Sequence, residues 1–362
     1  YWWCVKQTIE EKKDWKLIYH MKMLLSRLSL PTLLCSLVFS TVPVQADHHA
    51  KGDAPLLQTG DRVAVVGGGL IERARLNGYL ETALTAGAGP KVTGLKFRNL
   101  GWSGDTVFND ARSYFGKPKE GRDRLKKIIA EWKPNVVLLN YGAEVALSAG
   151  RAWTDEASAS KRSAGDWDES VAVFLEGYAK MIEELRKDVG EGLREIVVVS
   201  PPPLENLRSP LPDHRESDRR MAKVRDALQG FAKENKTRFV DLFGAMGGDE
   251  FDGKVSADGL THDGLHFTQT GYRELAGQLA LGLGYGTSPS GPLADKLREG
   301  IIEKNRLFFH RWRPANETYL FLFRKHEQGN NAKEIPQFDP IIEKREREIE
   351  QLRNQLLKNS QG

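Results

Sequence analysis

The sequence predicts an α/β fold, a three-layer sandwich with helices on both faces of a parallel sheet. Three observations carry that reading. Short apolar, β-branched runs alternate with longer segments of helical periodicity. The runs are apolar nearly throughout, as strands covered on both faces are. Turn-forming residues close two of them, Gly67-Gly68-Gly69 after the first and Pro201-Pro202-Pro203 after the fourth.

The elements follow in order. Residues 62–66 form the first strand, and a helix over 70–84 comes next. Residues 92–100 give the second strand, and 122–132 a helix stopped near Pro134. The third strand covers 136–139 and is followed by a helix over 171–188. The fourth covers 196–199, with a helix over 219–234 behind it. The fifth covers 238–242, and a helix over 270–283 closes the series. A βαβα order of this kind places binding residues in the loops at the carboxyl ends of the strands. The residues to inspect therefore follow Val66, Leu100, Leu139 and Val199.

The ends of the chain differ from this core. Met21 or Met23 opens a segment with the character of a secretory signal. Lys22 and Arg27 are its basic part, residues 28–42 its apolar part, and Val44-Gln45-Ala46 its small-residue cleavage site. The apolar part is short for a membrane span and contains Pro31, so no stable span is expected after cleavage. The expected organisation is leader and signal over 1–46, the α/β domain over 47–285, and a linker with a helical, aromatic extension over 286–362. The expected location is periplasmic or secreted. Cys4 and Cys35 both precede Asp47, so the exported part is held by its core rather than by disulfides.

The whole chain carries a formal charge of +4. Discounting six basic and three acidic residues before Asp47 leaves 47 against 46, which makes no electrostatic case for nucleic acid. Residues 148–170 break the rhythm with a polar, Ala- and Ser-rich stretch carrying Trp153 and Trp167, placed to cover a site after the third strand. After residue 286 come Phe308, Phe309, Trp312, Tyr319, Phe321 and Phe323, then a stripe of Ile342, Ile349, Leu352 and Leu356. That stripe predicts a terminal helix packed on the domain; two heptads do not demand a coiled coil. Cations among these aromatics, His310-Arg311-Trp312-Arg313 and Arg324-Lys325-His326, fit cation–π packing better than a sugar-binding surface.

Four blocks carry chemistry. Gly67-Gly68-Gly69 lacks the spacing of a dinucleotide loop, since position 72 is Glu, and lacks the Lys-Ser/Thr of a P-loop. The second block is Asn99-Leu-Gly-Trp-Ser-Gly-Asp-Thr106, and the third Asn140-Tyr-Gly-Ala-Glu144. The fourth runs from Thr261-His-Asp-Gly-Leu-His266 to Gly271-Tyr272. His262 and His266 imitate a zinc helix, but Gly264 lies between them and the segment precedes its helix, so no metal is expected. No cofactor is expected either.

In order and strand context these blocks resemble the SGNH (GDSL-type) hydrolase superfamily over about residues 61–283. The most specific match is Asp263 and His266 ahead of Gly271-Tyr272, and Gly104-Asp105-Thr106 also matches. The C-terminal aromatic region resembles that of secreted planctomycete-like members. The resemblance implies a flavodoxin-like sandwich, hydrolysis of carboxylic esters, His266 as base, Asp263 as its orienter and Gly104 as an oxyanion donor. It implies a small-molecule or carbohydrate ester as partner, with acylated carbohydrate in view, and leaves oligomeric state open.

Two positions depart from the family pattern. Gly69 stands where the nucleophilic serine belongs, and Glu144 where the oxyanion-binding Asn belongs. An ionised Glu144 has no proton to donate; a protonated one would donate, if burial raised its pKa. Three readings follow: Ser103 replaces the serine, His266 activates water, or the protein binds its ligand without catalysis.

Overall fold

The computed structural model describes residues 56–114, 116–148, 167–207, 209–250 and 259–359. The signal-like segment lies outside them, as do residues 149–166, which hold most of the expected covering stretch.

Five parallel strands form one sheet: β1 Arg62–Gly67, β2 Lys96–Asn99, β3 Val136–Asn140, β4 Glu195–Val199 and β5 Arg238–Val240. Their spatial order is β2-β1-β3-β4-β5. Alternation along each strand divides the core in two. Ala64, Val66, Val137, Leu139, Ile196 and Val198 face one layer of helices, and Val63, Val65, Val136, Leu138, Val197 and Val199 face the other. The first layer comprises α3 Pro118–Trp132, α5 Trp167–Val189 and α6 Arg215–Glu234. The second comprises α1 Gly69–Asn77, α2 Tyr79–Gly87 and α7 Gln269–Gly282. A short helix, α4 Ala143–Leu147, follows β3 directly. The three-layer sandwich expected from the sequence is the observed fold.

Three expected elements change. The single helix over 70–84 is two, α1 and α2, broken at Gly78. Gly78 has φ 68°, and a Cβ there would lie 2.9 Å from Ile302 Cγ1 and 3.2 Å from the Arg298 carbonyl. The approach of a later helix, α8 Pro292–Trp312, forces this break, and no local periodicity announces it. The second strand keeps only Lys96–Asn99 of the nine residues expected, because Gly94 turns at φ 69° just before it. The fifth strand stops at Val240, where Asp241 accepts the Gly244 N–H and caps a single helical turn.

The C-terminal extension packs on the domain through α8 and α9 Phe338–Asn359. Ile349 and Leu356 of the predicted stripe meet Ala294, Leu297 and Ile301 of α8 and Ala86 of α2, and Ile342 joins the first core. Two buried cations fasten this layer. Lys304 Nζ lies 2.7 Å from Glu81 Oε2, and Arg353 Nε donates to the Thr85 carbonyl at 2.8 Å. The aromatic cluster is used for packing with cations, some of them from the α/β domain. Arg98 lies over Phe308, Arg75 over Phe309 and Arg313 over Trp102. No helix among the described residues is long and apolar enough to cross a membrane.

Candidate active site

Strand order reverses between β1 and β3, and in open α/β sheets ligands bind at such a point. A cavity of about 380 Å³ opens there. Every sequence-nominated site residue except Asp263 is on its wall: Gly69, Ser103, Gly104, Glu144 and His266. Asp263 stands behind His266, within hydrogen-bond reach of it.

The fourth block is a closed loop rather than a helix. Thr261 and Phe267 pair across it, and the His262 N–H donates to the His266 carbonyl at 2.8 Å. His262 is exposed, and no three metal-binding side chains converge among the described residues. Within the loop Asp263 Oδ1 accepts the His266 N–H at 2.7 Å and the Leu265 N–H at 3.0 Å. Its other oxygen meets His266 Nδ1 at 2.6 Å. Burial would raise the Asp263 carboxyl, but these hydrogen bonds outweigh it and hold the carboxyl at about 2. Asp263 therefore stays ionised and fixes the ring, leaving Nε2 without a partner among the described residues. Asp263 and His266 are each 40% exposed, so the pair is open to a ligand.

Glu205 orders this loop, and the sequence reading passed it over. Its carboxylate accepts the Leu260 N–H, the Thr261 N–H and the Thr261 hydroxyl at 2.6–2.7 Å. Its only sequence signal is a lone acid just after the three prolines that end β4. Tyr272 then ties α7 to the first block, donating to the Leu70 carbonyl at 3.0 Å.

At the first block, the Gly67 Cα hydrogens face the Asn140 carbonyl, and a Cβ there would lie 2.6 Å from that oxygen. Gly69 is different. The nearest atom to a Cβ built on it is Ser103 Oγ at 3.5 Å, an ordinary contact. Gly69 is the first residue of α1, so its N–H points out of the helix start, where backbone donors are unpaired.

The second block is held from both sides. Below it, a buried network joins Asp105 to Arg112 Nε at 2.7 Å and to the Tyr141 hydroxyl at 2.7 Å. Above it, Glu72 Oε2 accepts the Ser103 N–H at 2.5 Å and pairs with Arg313 at 3.0 Å. Ser103 is exposed and makes no hydrogen bond to His266. With its N–H committed to Glu72, the backbone donors left for an oxyanion are those of Gly69 and Gly104. Arg73 on the cavity wall, and Glu72, which reaches the site only through Ser103, had no signal beyond lying one helical turn from Gly69.

At the third block, the Glu144 carboxyl turns back so that Oε2 accepts the Gly142 N–H at 2.9 Å, while Oε1 is sealed from solvent without a partner. Burial pushes this carboxyl up to about 7; the backbone N–H groups of Glu144 and Gly142 oppose the rise, and Asp105 and Asp110 add to it.

The sequence matches the GDSL-like lipase/acylhydrolase family over residues 60–274. The chain belongs to that family. Among solved structures it is similar to a catalytic mutant of Axe2, an acetylxylan esterase from Geobacillus stearothermophilus, at 17% identity and a TM-score of 0.45, covering 65% of this chain and 99% of that one. It is also similar to BT4096, a gut microbial diltiazem-metabolizing enzyme, at 14% identity and a TM-score of 0.45, covering 64% of this chain and 48% of that one. No curated protein matches it.

Proposed function

We propose that the chain is an exported ester hydrolase in which His266 is the general base, Asp263 orients it, and water is the nucleophile. The observation that carries the reading is the 2.6 Å Asp263–His266 bond beside a cavity that also holds Gly69 and Gly104. A pair so arranged takes a proton at Nε2. Beside Gly69 there is room where a serine side chain would stand. A water there adds its oxygen to the acyl carbon as its proton passes to Nε2. The carbon–oxygen bond to the alcohol then breaks, and the leaving alkoxide takes the same proton. Acid and alcohol leave, and His266 is neutral again.

Leu70, Leu147, Pro202, Leu204, Met221 and Leu265 line the cavity and favour an apolar acyl group. The alcohol side is read as a small molecule or an acylated carbohydrate, and the location as periplasmic or secreted, both from the sequence.

Two observations favour other readings. Ser103 Oγ lies 3.5 Å from where a side chain at position 69 would begin, which favours Ser103 as nucleophile. The missing hydroxyl at Gly69 favours a ligand-binding protein without catalysis. Purified protein and His266→Ala are compared on short- and medium-chain nitrophenyl esters. Wild type is expected to hydrolyse them and His266→Ala to lose about a hundredfold to ten-thousandfold in kcat, the usual contribution of a general base. A serine-directed phosphonate is expected to leave wild type unlabelled. Labelling that disappears in Ser103→Ala would make Ser103 the nucleophile. Absence of hydrolysis in wild type would leave the binding protein.

A further inference from the structure

We propose that Glu144, as a neutral carboxylic acid, donates the third hydrogen bond to the ester carbonyl oxygen, doing with a titratable group what an amide side chain does at that position elsewhere in the family. The proposal rests on the hydrolase reading above and adds to it the group that makes the site sensitive to pH.

The geometry comes first. Glu144 lies on the cavity wall with Gly69 and Gly104, the two backbone donors. One of its oxygens is used, accepting the Gly142 N–H, and the other is sealed and unpartnered. A carboxylate in that position would leave a charged oxygen buried without a donor, whereas a carboxylic acid carries a proton that needs an acceptor. A change of side-chain rotamer that releases the Gly142 N–H turns the carboxyl O–H toward the cavity whose wall Glu144 forms. A carbonyl oxygen entering between Gly69 and Gly104 supplies the acceptor, and its negative charge in the transition state strengthens the bond.

The surroundings favour the neutral form. From the loop after β2, Asp105 and Asp110 repel a second negative charge, and burial acts in the same direction. From α5, the Tyr178 hydroxyl faces Glu144 but donates to the Leu139 carbonyl at 3.1 Å. From α6, Arg220 donates to the Ala146 carbonyl at 2.7 Å, beyond Glu144 along α4. Arg73 of α1 and His266 of the closing loop share the cavity wall, and neither forms an ion pair with Glu144. Three other acids are raised by burial: Asp105 and Glu81, each paired with a buried cation, and Asp218 of α6, which is pushed to about 7 as well and accepts the N–H of Leu204 on the cavity wall.

The sign follows directly. A donor with its proton present below about 7 makes kcat fall as pH rises through that value. In Glu144→Gln the amide donates at every pH, so the variant is expected to keep a reduced kcat without that fall. Glu144→Ala is expected to lose about a hundredfold below pH 7, the usual cost of one oxyanion donor. KM should change little in either variant.

A second measurement does not depend on turnover. Infrared difference spectra of the full chain should show a protonated carboxyl band that fades through about pH 7 and is missing in Glu144→Gln but present in Asp218→Asn. A band that vanishes in Asp218→Asn instead, or an alkaline fall that persists in Glu144→Gln, would overturn the proposal. If wild type shows the band but hydrolyses no ester, the hydrolase reading fails while the neutral Glu144 stands.

Discussion

Gly67 and Gly69 stand two residues apart for opposite reasons. A side chain at 67 would collide with the Asn140 carbonyl at 2.6 Å, so glycine is compelled there by the passage of β3 beside β1. A side chain at 69 would meet nothing nearer than Ser103 Oγ at 3.5 Å. The absent hydroxyl is thus a chemical departure with no steric cause. Gly69→Ala should fold as well as wild type, yet its methyl occupies the place assigned to the attacking water. Loss of kcat on the order of a hundredfold is expected, as for a misplaced reactant. A kcat within a few-fold of wild type, with an unchanged melting temperature, would exclude water at that place. Gly69→Ser puts a hydroxyl at the start of α1 beside the free Nε2, and should gain labelling by a serine-directed phosphonate at position 69. The order of the four blocks made these residues legible in the sequence, but not which glycine was required. That depends on how close another strand comes, and no composition or spacing reports it. The state of Glu144 was open for the same reason, since its burial is a property of the assembled cavity.

At the scale of elements, the second-block loop is clamped by parts of the chain far apart in sequence. Glu72 lies on α1, Ser103 on the loop itself, and Arg313 at the end of α8. Arg313 also stacks on Trp102 at 3.6 Å, and Trp102 meets Trp312 edge-on at 5.7 Å. The C-terminal extension therefore holds the loop that presents the Gly104 N–H, and Arg313 is a positioning residue. Arg313→Ala leaves Glu72 without its cation and Trp102 without its cover. It should lower kcat about tenfold or more, since small displacements of an oxyanion donor are costly, with less effect on KM. Arg313→Lys keeps the charge but not the planar stack, and should recover only part of the loss. Equal loss in both kcat and thermal stability, with no recovery by Lys, would reduce Arg313 to a packing residue. Strands and long helices were legible because their periodicity is local. The break at Gly78 and the Glu72–Ser103–Arg313 link were not, because each is imposed by a partner more than twenty residues away.

The whole molecule places its catalytic candidates at one edge of the sheet and spends a separate layer, α8 and α9, on the outer face of α1 and α2. That layer is fastened by buried charges as well as by its apolar contacts. Lys304 is buried against Glu81, with its ammonium also donating to the Phe97 carbonyl at 3.1 Å and Asn305 at 2.7 Å. Burial lowers the Lys304 ammonium pKa, and Glu81 opposes that shift by favouring the charged form. In the sequence these are one lysine and one glutamate among many, with nothing to mark them as partners. Taking two charges out of water is unfavourable, and their attraction only offsets it when both are present. Removing one alone strands the other. Lys304→Ala should therefore destabilise the protein by about 3–5 kcal/mol in denaturant unfolding, whereas the apolar pair Lys304→Met with Glu81→Leu should be close to wild type or more stable. Should the double change cost as much as the single one, the pair would be holding α8 in register against α2 rather than merely filling space. Phosphonate labelling of the Gly69→Ser protein carrying each change then shows whether that register reaches the active-site loop through Arg313.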